Sequence, residues 1–472
     1  MAESLLEQPP NVFPPLDLDF RPAALGNRAF RAAVAEAGGV HLVLALERNA
    51  GNVSRFETRL FPEADPRSGE NFRYAERLLK FLLWQKGGFK VSVAGSASLA
   101  AQLAEHYAPG GARAFDAEFF AKIYEQPRFV VEAVSFADLP REREVGAAIG
   151  GHWDGCRIGF DAGGSDRKVA ALIDGQEVFS CEVVWEPKLH ADPQYHIDGI
   201  DDSIRRAAAH LPRIDAIGVS SAGIYLNNRT RVASLFRQVP EAEFVARITS
   251  IYPDIAEKWG AVPLEVANDG DVTALAGALE LQDHSVLGLA MGTSQAAGYV
   301  NPQGVVTGWL NELAFAPVDY GVDAVVDREW SGDRGTGVSY FSQDAVVRLA
   351  ARAGLALPSG SPGANLKFVQ AQLLAGDARA QQIFDTIGVY LGYGLLHYLD
   401  FYAVKHVLLL GRVTSGEGGT RILSQAREVL AREAPALSRS VNLHLPDEAT
   451  RRVGQAIAAA SLPRSNGRSR ST

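Results

Sequence analysis

An apolar strand that ends in a carboxylate, followed at once by glycines and a hydroxyl, is a place where a chain can meet an anion. IGFDAGGSDRK, Ile158 to Lys168, has that pattern. Gly163 and Gly164 let the backbone come close to phosphate oxygens, and the Ser165 hydroxyl can donate to them. Asp161 stands where it could hold Mg²⁺ through water, and Lys168 could add a positive charge. Alone, a Gly-Gly turn after an apolar strand is usually just a hairpin. LGLAMGTSQAAGYV, Leu287 to Val300, repeats the logic with Gly292, Thr293 and Ser294. Two such turns, 129 residues apart, could grip one polyphosphate from both sides.

PLEVANDGDVTALAGA, Pro263 to Ala278, runs an apolar strand into Asn268-Asp269 and then a helix. The dipole at a helix N-terminus keeps a carboxylate ionised. A pre-positioned, ionised carboxylate is what a general base needs to take a proton from an alcohol. Asp at such a junction is most often only an N-cap. Asp271 is the better placed cap, which leaves Asp269 free. In HVLLLGRVTSGEGG, His406 to Gly419, a buried strand ends at Gly411 and a Gly/Ser-rich loop leads into a helix. That suits an adenine-ribose unit, and equally an ordinary strand-helix turn.

These segments need elements to position them. Arg157–Asp161, Val169–Ile173 and Glu177–Val184 read as consecutive strands. A helix is expected over Asp201–His210, a buried strand at Ala216–Ser220, a strand at Pro263–Ala267 and a helix from Val272 to Glu280. A second round starts with the strand Val286–Ala290. It closes with a long helix Asp385–Tyr402, a strand His406–Leu410 and a helix Arg421–Arg432. Upstream, His41–Leu46, Arg55–Phe61 and Phe89–Ala94 read as strands. Tyr74, Leu78 and Leu82 recur at helical spacing, and another helix is expected over Leu99–Tyr107. Gly95-Ser96 between strand and helix could cradle a phosphate, but most such turns bind nothing. Residues 1–20 are rich in proline and acidic residues and are expected to lack regular structure.

Composition narrows the function class. The chain has 472 residues, 47% hydrophobic, with a formal net charge of −9. That length suggests about three domains or lobes. An acidic chain of this size is not a general nucleic-acid binder. Two cysteines, Cys156 and Cys181, cannot build a cysteine-rich zinc site and suggest buried thiols in a reducing compartment. The first residues lack a basic n-region and an apolar core, and no stretch approaches a membrane span, so a cytoplasmic location is expected. His190, Asp192, His196 and Asp198 could hold a metal, but a place on a pocket rim fits them better. Trp330, Asp333 and Arg334 lie in a loop that either touches ligand or simply packs.

In this order the motifs resemble the sugar kinase, actin and heat-shock ATPase superfamily, and within it the ROK family of sugar kinases. The resemblance runs over about 157–435 and includes the glycine-bearing strand end IGVSSAGIY (217–225). It implies a two-lobed actin-like ATPase (ribonuclease H-like) α/β fold, preceded by a smaller α/β N-terminal domain. The expected division is 1–150 as that domain, 151–284 and 285–461 as the two lobes, and 462–472 as a disordered tail. The resemblance implies Asp161, Gly163, Gly164 and Ser165 as the first phosphate loop, with Gly292, Thr293 and Ser294 as the second. Asn268 and Glu312, in GWLNELAF (308–315), match ligands of sugar hydroxyls. Gly223 matches a glycine close to the sugar, Asp269 the catalytic base, and Gly411 and Gly416 the adenosine segment.

The chain also departs from the family pattern. Phe315 replaces the histidine that follows the glutamate, and the cysteine-rich zinc loop is absent. The second phosphate turn reads GTSQAAG, with fewer glycines, and Arg412 stands where a glycine is usual. The function implied is ATP- and Mg²⁺-dependent phosphorylation of a hexose or its derivative, by a chain that could be a homo-oligomer. The competing expectations are a non-catalytic sugar sensor or transcriptional regulator, and an ATPase of the same fold. Residues 1–150 carry 17 Lys and Arg against 19 Asp and Glu, with no basic helix, which speaks against DNA binding.

Overall fold

The structure is a computed structural model that describes residues 4–144, 149–328, 330–446 and 448–465, with the backbone alone at 448–453. In chain order its elements are α1 (Ala23–Glu36), β1 (Val40–Glu47), β2 (Val53–Leu60), α2 (Asn71–Lys86), β3 (Lys90–Ala94), α3 (Ala97–His106), α4 (Ala114–Ile123) and β4 (Val130–Ala133). Next come β5 (Cys156–Ala162), β6 (Asp166–Ile173), β7 (Gln176–Val184), α5 (Pro193–Ala208), β8 (Ala216–Ser221), β9 (Ile224–Leu226), β10 (Arg229–Val232), α6 (Glu241–Glu243), α7 (Ile251–Lys258), β11 (Leu264–Asn268) and α8 (Asp269–Leu281). The chain continues with β12 (Val286–Met291), β13 (Gln295–Val300), α9 (Gln343–Arg352), α10 (Pro362–Leu374), α11 (Ala378–Tyr398), β14 (His406–Leu410), α12 (Gly416–Glu433), α13 (Pro435–Ser440), β15 (Asn442–His444) and α14 (Glu448–Ala460). No helix among the described residues is long and apolar enough to cross a membrane.

The chain forms two compact units. Met1–Val145, Leu289–Ala297 and Trp309–Leu445 make one; Gly146–Gly288, Gly298–Gly308 and Pro446–Thr472 make the other. The second unit is built on a five-stranded sheet in the order β11-β8-β5-β6-β7. β11, β8 and β5 run parallel, and β5-β6-β7 is an antiparallel meander. Strand alternation sends Ile158, Phe160 and Ala162 into one core with Ile200, Ile204 and Ile251. Ala170 and Leu172 face the other way, against Ala456 and Ala460 of α14. Covered on both faces, β5 is buried along its whole length, which is why it reads as a continuous apolar run.

In the first unit β2-β1-β3-β4 form one sheet; β13-β12-β14-β15 form another, of which Val286–Gly288 of β12 and Gly298–Val300 of β13 are assigned to the second unit. The sequence reading set 1–150 apart from 285–461. In the structure 1–145 share a compact unit with 309–445. Polar contacts join α1 to α11 and its C-terminal end. Asn27 Nδ2 lies 3.5 Å from His397 Nδ1, and Arg31 donates to Asp400 at 2.6 Å. Residues 4–20 carry no helix or strand, as expected, yet they are pinned. The Val12 N–H donates to Tyr393 Oη at 3.0 Å, Tyr390 Oη bonds Asp17, and Phe20 is buried.

Element boundaries differ where caps were overlooked. α5 starts at Pro193, eight residues before the expected Asp201, because Asp192 caps it and proline occupies its first turn. α11 starts at Ala378 because Asp377 caps it. The tail expected to be disordered begins as packed chain. Leu462 is buried, and the Pro463 carbonyl accepts from the buried Arg157 guanidinium at 2.7 Å. The rest of that tail, 466–472, lies outside the described residues.

Candidate active site

In the second unit, three parallel strand ends carry the chemistry. β5 delivers Asp161, which pairs in register with Ser220 of β8, and Asn268 of β11 pairs with Ser221. Asp161 Oδ1 accepts from the Ser220 hydroxyl at 2.7 Å. Burial pushes the Asp161 carboxyl up to about 6. The Ser220 hydrogen bond and Lys168 work against that rise, while the neighbouring charges of Asp269 and Asp166 add to it. A cation would relieve this crowding of negative charge, so the charge of the site suits a divalent ion. No group of three or more His, Cys, Asp or Glu that could hold a metal is present among the described residues.

The Gly163–Ser165 turn is held from one side. Trp185 Nε1 donates to the Gly163 carbonyl at 2.8 Å, and the Trp185 N–H donates to the Ser165 carbonyl at 3.1 Å. The Ser165 hydroxyl donates to Asp166 at 3.1 Å. Lys168, expected to serve phosphate, is engaged by carboxylates. Its Nζ is 2.9 Å from Asp166 and 3.8 Å from Asp161.

Asn268, not Asp271, is the N-cap of α8. Its Oδ1 accepts from the Gly270 N–H at 2.8 Å, and its Nδ2 donates to the Gly223 carbonyl at 2.7 Å. Asp271 is instead buried and accepts from the Tyr299 N–H at 3.0 Å. The expectation that Asp269 is not the cap holds, by a different residue. Asp269 is partly exposed in the first turn of α8 and accepts from the Gly270 N–H at 3.0 Å. The helix N-terminus was expected to keep it ionised. Burial instead raises its carboxyl above the usual range, against the pull of the Gly270 and Asp269 N–H groups and of Lys188. A raised carboxyl is the better proton acceptor near neutral pH. Gly223 has φ +139°, and a Cβ there would lie 2.4 Å from the Val232 carbonyl, so only glycine fits beside Asn268.

In the first unit, Gly292, Thr293 and Ser294 make the turn between β12 and β13. The Gly292 N–H donates to the Ser294 carbonyl, and its own carbonyl accepts from the Gln343 N–H, both at 2.9 Å. The Thr293 and Ser294 residues are exposed, and their hydroxyls have no partner among the described residues. Gln295, which follows the turn, is buried with Nε2 3.2 Å from Tyr398 Oη. Gly411 ends β14 with φ +94°, where a Cβ would lie 2.3 Å from the Met291 carbonyl. Gly416, at φ +60°, opens α12, and Arg412 beside it is exposed.

The Glu312 segment is anchored by α2. The Asn311 and Glu312 N–H groups donate to the carbonyls of Gln85 and Trp84 at 2.9 Å. Phe315, in the place of the family histidine, packs on Trp84 at 4.4 Å between ring centroids. Of the loop residues thought able to touch ligand, Asp333 is buried in an ion-pair cluster and Trp330 is 53% exposed. His196 is a core residue, packed against Trp185, Tyr195 and Phe236, and His190 stacks on Tyr195. Cys156 is buried and Cys181 half-buried. Sequence reading missed Trp185, Lys188 and Gln343: Trp185 and Lys188 follow the end of β7, which pairs beside the turn, Gln343 opens α9, and no local pattern marks any of them.

No family model matches the chain, and no curated protein matches it. Solved structures do. A ROK hexokinase from Thermus thermophilus superposes with a TM-score of 0.52 at 20% identity, over 65% of this chain and 97% of its own. It has the fold of a ROK hexokinase. That is the two-lobed actin-like ATPase fold expected from the motif order. A Cytophaga hutchinsonii protein proposed to be a sugar kinase matches at 0.50 and 12% identity, over 65% and 98%. A ROK family transcriptional regulator, a homologue of E. coli MLC, reaches 0.49 at 16% identity over 72% and 83%, below the level that supports a shared fold.

Proposed function

We propose that this protein is an ATP-dependent sugar kinase that transfers the γ-phosphate to a hydroxyl of a hexose or hexose derivative. The observation that carries this reading is Asp269. It sits in the first turn of α8, partly exposed and with a raised carboxyl, one residue from an Asn268 locked to Gly223.

Asp269 takes the proton of the sugar hydroxyl as that oxygen attacks the γ-phosphorus. Asn268 fixes the approach to Asp269 through its two hydrogen bonds, and its spare N–H can meet a sugar oxygen. Glu312 and Gly223 complete the sugar contacts in this reading. The Gly163–Ser165 turn offers backbone N–H groups to phosphate. The Thr293 and Ser294 hydroxyls do the same beside Gly292, and Gly411 and Gly416 keep the chain clear for the adenosine. Asp161 and its water shell would hold Mg²⁺, which neutralises phosphate charge when bound. The fold's soluble sugar-kinase setting makes the cytoplasm the proposed location.

The test is ADP release from Mg²⁺-ATP across hexoses and amino sugars, beside Asp269→Asn. Sugar-dependent release that the variant loses supports the kinase. Sugar binding without turnover points instead to a sensor, for which Phe315 and the glycine-poor GTSQAAG turn would be the marks.

A further inference from the structure

Two lysines approach the Gly163–Ser165 turn, and they differ in what holds them. Lys168 is committed to Asp166 and Asp161. Lys188 has no ion-pair or hydrogen-bond partner among the described residues. It lies on a single 3-10 turn, Pro187–Leu189, three residues after Trp185. Trp185 is the residue that grips the Gly163 and Ser165 carbonyls. The grip carries Lys188 to the turn: its Nζ lies 3.2 Å, and its Cε 3.3 Å, from where a Cβ on Gly164 would stand. Its charge is also felt at Asp269. A Cβ at position 164 would sit in tight contact with this ammonium, so the lysine lies directly over the turn.

An unpaired ammonium poised over a phosphate turn, with its charge reaching the general base, is placed for the group that passes between them. We propose that Lys188 is a catalytic residue that contacts the γ-phosphoryl group of ATP during transfer. This rests on the kinase reading. In the step, the sugar oxygen forms its bond to the γ-phosphorus while the bond from that phosphorus to the β-bridging oxygen breaks. The electron pair leaves with ADP, and the hydroxyl proton goes to Asp269. Lys188 gains and loses no proton; it neutralises charge on the γ-oxygens. Trp185 is its positioning residue.

The test is calorimetric binding of Mg²⁺-ATP and Mg²⁺-ADP, without sugar, to the full chain and to Lys188→Gln and Lys188→Arg, together with turnover on the best sugar. A charge-assisted contact predicts about a 10-fold or greater loss of ATP affinity in Lys188→Gln. ADP and sugar affinity should stay within about twofold, and kcat should fall by about 10²-fold. Lys188→Arg should recover part of both losses. Equal weakening of ATP and ADP, or no weakening of either, overturns the assignment while leaving the kinase intact. Wild-type protein that binds no nucleotide and phosphorylates no sugar overturns the kinase reading itself, and the assignment with it.

Discussion

Asp333 in one unit and Asp161 in the other are both buried, 7% and 4% exposed, yet burial has opposite consequences for their charge. Asp333 lies 3.0 Å from Arg77, 3.0 Å from Lys80 and 2.8 Å from Arg113. Burial alone would raise its carboxyl, but Arg77 and Lys80 hold it below the ordinary range. Lys80 also pairs with Asp116 at 2.9 Å, and Arg113 with Glu76 at 2.5 Å. The cluster ties the Asp333 loop to α2 and α4. It stands in the stretch of chain where the resemblance leads one to expect a zinc loop. Asp161 has one hydroxyl and a lysine 3.8 Å away, and its carboxyl goes up to about 6. Paired buried charges organise structure. Under-paired ones cost stability, and their persistence is a functional signal. Glu265 bounds the rule. Burial pushes it up to about 7 with no partner among the described residues, yet strand alternation turns it away from the face of Val266. A raised carboxyl marks a site only where geometry brings other functional groups to it.

The largest separation between the two regions is expected from Asp269→Asn and Asp333→Ala. On the proposed role of Asp269 as general base, its loss should lower kcat by about 10²–10⁴-fold. It should leave the thermal midpoint unchanged or higher, since a carboxylate whose charged form the fold disfavours is removed. Asp333→Ala leaves Arg77, Lys80 and Arg113 without a shared partner and should cost about 3–5 kcal/mol in urea unfolding. A stable Asp333→Ala protein would break the comparison.

Next in size is a pH effect. A carboxyl raised in the fold binds its proton more tightly there than in the unfolded chain, so stability falls as pH rises between the two pKa values. For Asp161 that window runs from the ordinary 3.8 to about 6. The cost above it is about 3 kcal/mol. Asp161→Asn keeps an oxygen for Ser220 and carries no charge. Its stability relative to wild type should therefore grow between pH 4 and 6 and level off beyond (roughly the interval set by the two pKa values). A flat difference across that range, read by chemical denaturation, would put the unfavourable charge elsewhere.

The sequence made the strands of the second unit's sheet legible, because its central strands β5 and β8 are buried along their length. β5, β8, β11 and β14 all show up as apolar runs ending in small or acidic residues. Hidden from it was what the ends do to one another. Asn268 and Asp271 exchange roles because the cap is chosen by the register of β11, which places Asn268 opposite Ser221 and within reach of Gly223. Two ring partners of Phe315, Trp84 of α2 and Phe115 of α4, lie 200 or more residues away in sequence, and no local pattern announces them. The grouping of 1–145 with 309–445 likewise rests on long-range polar contacts such as Arg31 to Asp400.

The smallest expected effect tests whether the Gly163–Ser165 turn, proposed to meet phosphate, is held from outside. Trp185→Phe keeps an aromatic ring among Tyr195 and His196 but removes the indole N–H that reaches the Gly163 carbonyl at 2.8 Å. One neutral hydrogen bond is worth about 0.5–1.5 kcal/mol, so the melting temperature should drop by only a few degrees. The Trp185 backbone N–H still serves Ser165, so the turn loosens without unfolding. Because the same residue carries Lys188 to the turn, ATP should bind less tightly while sugar binding holds. A variant with lowered stability and unchanged ATP affinity would make Trp185 a core tryptophan like Trp84, and the contrast between the organised unit and the working one would have to rest on Asp161 and Asp269 alone.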